Sequence, residues 1–187
     1  DDPLYGAQEG RHLHGYYDCY WYLLLYVFCG RHLLAARLRG TSVDAADGAT
    51  EEVARIVAQI RERWPRTTIV IRADSGFCRD DLMTWCEQNN VKYVLGLAGN
   101  SRLRARLAPD IAKAPAKAKR TGQPARVFAD FEYRTRRSWS AKRRVIGKAE
   151  WTKGEASPRF IVTNVHEAFG GARFLYESVY LIARRDG

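Results

Sequence analysis

Apolar and polar positions alternate in three distinct ways along this chain. From Tyr16 to Phe28 nearly every residue is Tyr, Trp, Leu or Val. A short run that is apolar on both alternating faces predicts a strand covered on both sides, not an amphipathic helix. A second strand is expected from His32 to Leu38, joined through Gly30-Arg31 as an antiparallel hairpin. Core packing is the expected use of these aromatic residues, with a platform for stacking bases as the other use.

Further on the period changes. Val53, Ile56, Val57, Ile60 and Trp64 recur at helical spacing, with Glu51 and Glu52 in the first turn and Pro65 just past the end. Thr67 to Ala73 is a β-branched run that reads as a buried, central strand ending at Asp74, before Ser75-Gly76. A helix from Arg79 to Gln88 would bury Leu82, Trp85 and Cys86, Asn89-Asn90 would stop it, and Val91 to Leu97 is the next strand. Strand, helix, strand in that order implies parallel pairing, so the expected fold class is α/β, with a mixed sheet that includes the front hairpin.

The second half is less regular. A helix is expected from Ser101 towards Ile111, after which Pro109, Pro115 and the run Lys113 to Arg120 predict a broken, basic connector. Three short antiparallel strands should follow, at Val127 to Tyr133, Arg144 to Trp151 and Arg159 to Val165, and Phe174 to Ala183 should begin a last helix. At 187 residues the chain suits a single domain, 1–187, with its basic connector and β-rich insertion at about 113–167.

Charge sharpens this division. The net charge is +10, and residues 1–99 hold 11 Lys+Arg against 13 Asp+Glu, whereas residues 100–187 hold 20 against 8. All the excess positive charge therefore lies in the second half, where a partner with a regular array of negative charge, such as nucleic acid, would meet it. Cys19, Cys29, Cys78 and Cys86 lie in apolar stretches without zinc spacing and read as reduced core residues. The longest uncharged stretch, Cys19 to Gly30, falls short of the roughly 17 residues that a membrane helix needs. A soluble, cytoplasmic protein is expected.

Among residues able to carry chemistry, Asp74 stands first, because open α/β sheets place catalytic groups at the carboxyl ends of their strands. The plainer alternative is a carboxylate that caps a turn. His12 and His14 flank one residue but lack a third ligand, and no phosphate-binding glycine loop or nucleophilic serine motif is present. The cluster Arg134, Arg136, Arg137, Lys142, Arg143 and Arg144 places six cations within eleven residues, with Tyr133, Trp139 and Trp151 interleaved. Guanidinium forks grip phosphates and aromatic rings stack on bases, so DNA contact is expected there, with protection of an exposed hairpin edge as the alternative.

Four segments resemble a known family. They are Asp1-Asp2-Pro3-Leu4-Tyr5-Gly6; Gly15-Tyr16-Tyr17 with Tyr22 to Gly30; Arg72-Ala73-Asp74-Ser75-Gly76-Phe77; and Arg159-Phe160-Ile161-Val162-Thr163-Asn164. Together they resemble the DDE transposases of bacterial insertion sequences, in the group whose core begins Asp-x-Asp-x-Thr-Asp-Asp-Pro. The resemblance implies a ribonuclease-H-like mixed sheet flanked by helices, with a β-rich basic insertion before the last helix. It further implies three carboxylates holding two divalent metals, Mg2+ or Mn2+, with Asp74 as the second carboxylate and so both catalytic residue and metal ligand.

What the resemblance implies for function is metal-dependent DNA strand cleavage and strand transfer in cut-and-paste transposition. The partner is double-stranded DNA, both transposon ends and target, with a homodimer on the DNA left open and a location at the bacterial nucleoid. The first catalytic Asp and the first strand are expected upstream of Asp1, and the third carboxylate, a Glu, beyond Gly187. Tyr180 and Arg184 approach the Tyr-x-x-Arg-x-x-x-Glu pattern with Arg one place late, and Glu177 precedes the Tyr. A fragment with one ligand of three would be inactive and marginally stable. A non-catalytic DNA-binding remnant and a structure-specific nuclease of the same fold are the alternatives.

Overall fold

The computed structural model describes residues 2–3, 12–14, 19–40, 42–121, 125–152 and 155–181. They fall into two compact units, Asp1–Thr67 and Thr68–Gly187. The architecture is mixed α/β, with a five-stranded mixed sheet flanked by helices, as a ribonuclease-H-like core requires.

In the first unit, β1 (Asp2–Pro3) and β2 (His12–His14) both pair antiparallel with β3 (Cys19–Cys29), which also pairs with β4 (His32–Gly40). Residues 16–18, where the first strand was expected to begin, lie outside the described residues. The hairpin turn forms as the sequence predicts: Gly30 takes φ 57°, a left-handed conformation that side chains disfavour. A register shift between Val27 and Phe28 sets Phe28 opposite Leu33. Tyr22 and Leu25 are buried, but Tyr26, Phe28, Leu33 and Leu38 are 50–59% exposed. A strand covered on both sides is thus corrected to one whose inner end is buried while its outer half bares apolar side chains.

On β4, Arg39 is buried and its Nη1 donates to the carbonyls of Ala45 (3.1 Å) and Asp47 (2.6 Å). The loop so held leads into α1 (Ala49–Arg63), which buries Ile56 and Val57. Trp64 follows the helix as its C-cap and is 60% exposed, so it does not belong to the buried stripe.

In the second unit the strand order is β5 (Val70–Ala73), β6 (Lys92–Leu97), β9 (Glu155–Thr163), β8 (Arg143–Thr152) and β7 (Ala125–Tyr133). Among the described residues only β5 and β6 run parallel, connected through α2 (Asp80–Gln88). Asn89-Asn90 ends that helix, with Asn90 at φ 51°. The three antiparallel strands continue the β5–β6 sheet directly, since β9 pairs with β6. The hairpin and this sheet are separate hydrogen-bonded sheets, and β5 is an edge strand among the described residues, not an interior one. Val70 is accordingly 45% exposed.

Both faces of the middle strands are buried. On one, Val94, Ile146 and Ile161 pack with Leu175 and Tyr176 of the last helical segment. On the other, Gly147 receives the Phe160 ring and a Leu107 methyl from α3 (Ser101–Ile111). Pro109 lies inside α3, near its end, and the helix continues past it, with Ala112 N–H donating to Ala108 O at 3.0 Å. The expected broken connector is instead α4 (Ala114–Thr121). Pro115 falls in its first turn, where no intrahelical N–H is needed, and alternate alanines favour the helix.

The chain then forms α5 (Ala172–Phe174), which widens into a π-helical turn, Leu175–Tyr180. Arg184 lies outside the described residues. No helix among the described residues is long and apolar enough to cross a membrane.

Candidate active site

β5 delivers Asp74 to the carboxyl end of the sheet. Its backbone is extended (φ −75°, ψ −173°), and it caps a 3-10 turn, Ser75–Phe77. The cap is the carboxylate itself: Oδ1 accepts the Gly76 N–H at 2.7 Å. Asp74 is exposed, and the cap uses one of its two carboxylate oxygens. Capping the turn therefore does not occupy the whole carboxylate.

Two neighbours frame this turn. Because Ala73 pairs with Leu95, Gly96 of β6 stands beside the Asp74–Ser75 peptide. The terminal helical segment comes to the same place, with the Tyr180 hydroxyl against Gly96. Arg72 Nη1 donates to Val179 O at 2.7 Å, tying that segment to β5. Glu177 is engaged elsewhere, accepting from Arg126 (3.1 Å) and Arg173 (2.8 Å), and the hydrogen bond from Arg173, more than the opposing burial, holds its carboxyl below the usual range.

A two-metal centre needs several oxygen ligands around one point. Among the described residues no group of three His, Cys, Asp or Glu side chains meets that need. Asp74 offers one carboxylate, and the described residues do not by themselves fit a metal centre. Burial pushes the Cys78 thiol up to about 11 and the Cys86 thiol up to about 12; Cys86 is the core thiol expected, whereas Cys78 is half-buried and Cys29, expected in the core, is exposed.

The six cations of the β7–β8 connection separate into two groups. Arg143 is buried and binds three residues of α2: Nη1 donates to Asp80 (2.5 Å), Nε to Glu87 (2.7 Å) and Nη2 to Thr84 (2.9 Å). Burial opposes its charge, but the hydrogen bonds to Glu87 and Asp80 outweigh it and raise its pKa. Arg144 donates to Asp130 (2.5 Å) and to the carbonyls of Val165 (2.7 Å) and Gly170 (3.1 Å). Both guanidinium groups are thus engaged within the protein.

Arg134, Arg136, Arg137 and Lys142 are exposed, although Arg134 Nε also donates to Trp139 O at 3.0 Å. Tyr133 and Trp139, expected beside DNA bases, are buried against each other edge to face at 5.8 Å. Ser140 donates to Asp80 through N–H and hydroxyl, so the loop is pinned to the start of α2. An adjoining cleft of about 470 Å3 holds Glu87, Asp130 and Glu132 as well as Lys142, Arg143 and Arg144, and so carries both signs of charge.

Sequence reasoning found Asp74 but missed the α2 acids. Their signal was present, since Asp80, Thr84 and Glu87 fall at spacings of four and three and share one helix face. The Gly96–Tyr180 contact joins positions 84 residues apart and left no local mark. His12 and His14 sit on β2 opposite Trp21 and Cys19, and their side chains lie outside the described residues.

The sequence profile of a family described as transposase DDE domain group 1 matches residues 1–185. No curated protein matches the chain.

Proposed function

The chain belongs to the transposase DDE domain group 1 family, and from that we propose that it works in cut-and-paste DNA transposition, as the core that cleaves DNA strands and transfers them. The observation that carries this reading is the Asp74 carboxylate, which stands exposed at the carboxyl end of a parallel strand, with one of its oxygens taken by the turn cap. Asp74 serves as a catalytic carboxylate and as one ligand to a divalent cation. Mg2+ or Mn2+ suits an all-oxygen site.

In this reading residues 1–187 act as one catalytic core, with about 113–167 as its DNA-facing, β-rich part. Arg134, Arg136, Arg137 and Lys142 contact the phosphate backbone of double-stranded DNA. Arg143 and Arg144 contribute from behind, by holding the loop and its flanking strand.

Asp74→Asn, made in the transposase that carries this domain, tests the assignment. It should abolish strand cleavage and leave DNA binding intact; cleavage at the original rate would remove the enzymatic reading. A titration of binding against salt tests the loop. Replacing Arg136 and Arg137 together with Ala should make the log–log salt slope shallower by about 2.

A further inference from the structure

We propose that Gly96 and Arg72 are positioning residues for Asp74: together they let the Asp74–Ser75 turn and the Tyr180 hydroxyl close on the same spot of β6. This inference rests on the reading of Asp74 as a catalytic carboxylate.

Gly96 is buried, and a Cβ built there would lie 2.6 Å from Tyr180 Oη, 2.8 Å from Ser75 N and 3.1 Å from Asp74 C. Two of these three atoms are backbone, which cannot swing aside as a side-chain tip can. Gly147, two strands away in the same sheet, makes the useful contrast. The atoms nearest to a Cβ there are in the Phe160 ring (3.0 Å) and a Leu107 methyl (3.2 Å), side-chain ends that can yield. Space at Gly147 serves packing, whereas space at Gly96 sets where the Asp74 turn rests.

Tyr180 is itself fixed from two directions. Its ring lies 5.7 Å from that of Tyr176, and Arg72, two residues before Asp74, holds the preceding carbonyl, Val179 O. The segment so held is π-helical, a geometry that recurs at functional sites. The consequence for chemistry is positional. The Gly76 N–H that orients the Asp74 carboxylate belongs to the turn that Gly96 admits, and a misplacement of about 1 Å at a reacting group can cost on the order of 10²-fold in rate.

Two readouts test this: amide hydrogen exchange at Gly76, and strand cleavage with kcat separated from KM for DNA. Gly96→Ala should speed Gly76 exchange at least about tenfold and lower kcat by up to about 10²-fold, with KM within about twofold. Arg72→Gln should shift both readouts in the same direction by less, and Arg72→Lys, which can still donate to Val179 O, should restore them. Gly147→Ala should lower the melting temperature and leave Gly76 exchange and kcat as they were.

Unchanged Gly76 exchange and kcat in a folded Gly96→Ala protein overturn the proposal. If that variant does not fold, an unchanged kcat in Arg72→Gln overturns it; if it folds, so does a kcat loss in Gly147→Ala equal to that in Gly96→Ala. If Asp74→Asn still cleaves DNA while Gly96→Ala alters Gly76 exchange, it is the catalytic reading of Asp74 that has failed, not the positioning.

Discussion

In the β3–β4 hairpin, Tyr26, Phe28, Leu33 and Leu38 stand 50–59% exposed, whereas on β6 the four consecutive residues Tyr93, Val94, Leu95 and Gly96 are all buried. Both stretches are runs of apolar residues without alternation, and both predict a strand covered on each side. They differ in what else their unit supplies. β6 has strands on both edges, the Leu175–Tyr176 turn on one face and Glu87 of α2 reaching the Tyr93 hydroxyl at 2.7 Å on the other. The hairpin unit, by contrast, buries Tyr22 and Leu25 and leaves the outer half of one face bare. An apolar run states that burial is favourable; the partners that provide it lie elsewhere in the chain.

The contrast is broken most directly by truncating a core side chain. Ile161 on β9 is fully buried between Val94 and Ile146. Ile161→Ala should cost about 3–5 kcal/mol, from lost transfer energy and an uncollapsed cavity. Chemical denaturation would measure it, and amide exchange would place the loss in residues 68–181. A loss below about 1 kcal/mol would mean that the five-stranded sheet is not the tightly packed element of the two.

Arg143→Ala comes next. It removes a buried cation and leaves Asp80 and Glu87 without their partner. Breaking a buried pair typically costs about 3–5 kcal/mol. The lower end applies here, because the side chains of Asp80 and Glu87 keep 28% and 32% of their exposure and can rehydrate. The same substitution at Arg136, which is exposed, should change stability by less than about 0.5 kcal/mol. Equal effects at the two positions would erase the division of the loop into structural and DNA-facing cations.

That division marks where legibility ended. Local elements were readable: α1, α2, α3 and the strands at β6, β7 and β8 follow from period, caps and turn residues, within a few positions of where they form. So was the placement of Asp74, since Asp-Ser-Gly after a β-branched run is a local turn signal. Six clustered cations looked alike in sequence, and only the fold separates Arg143, aimed at Asp80 and Glu87 more than 50 residues away, from Arg136. The pairing of β9 with β6 and the contact of Tyr180 with Gly96 are likewise products of long-range geometry. At α4 local propensity favours the helix that forms, since Pro115 occupies its helix-tolerant first turn and Pro109 comes late in α3.

Acid should sharpen the comparison by a smaller margin. In the five-stranded unit, burial raises the Asp80 pKa but the hydrogen bonds from Arg143 and Ser140 outweigh it, and hydrogen bonds hold Glu150 and Glu177 low as well. Carboxyls with depressed folded pKa values contribute stability that is present above their unfolded values, near 4, and is lost as pH falls through the folded ones. Lowering the pH from about 5 to 3 should therefore lower the melting temperature by a few degrees, on the order of what 1 kcal/mol does in a domain of this size. Added salt at pH 7 should do less, since these pairs are partly buried. A melting temperature that rises on acidification would contradict the sign.

The smallest effect on stability should come from the bare face of the hairpin. Phe28 is 59% exposed and sits opposite Leu33, itself 53% exposed, on the far side of the register shift. With so little area removed from water, Phe28→Thr forfeits only a fraction of the roughly 1.5–3 kcal/mol that full burial of a Phe is worth, and Thr keeps a β-branched side chain suited to a strand. Stability should change by less than about 0.5 kcal/mol. Solubility should respond more clearly, because a contiguous exposed apolar face on a hairpin invites association. Light scattering at raised concentration should show less self-association in a Phe28→Thr, Leu38→Lys double variant than in the parent chain. If instead that variant loses several kcal/mol, the face is covered when the protein is folded, and the difference between the two sheets vanishes.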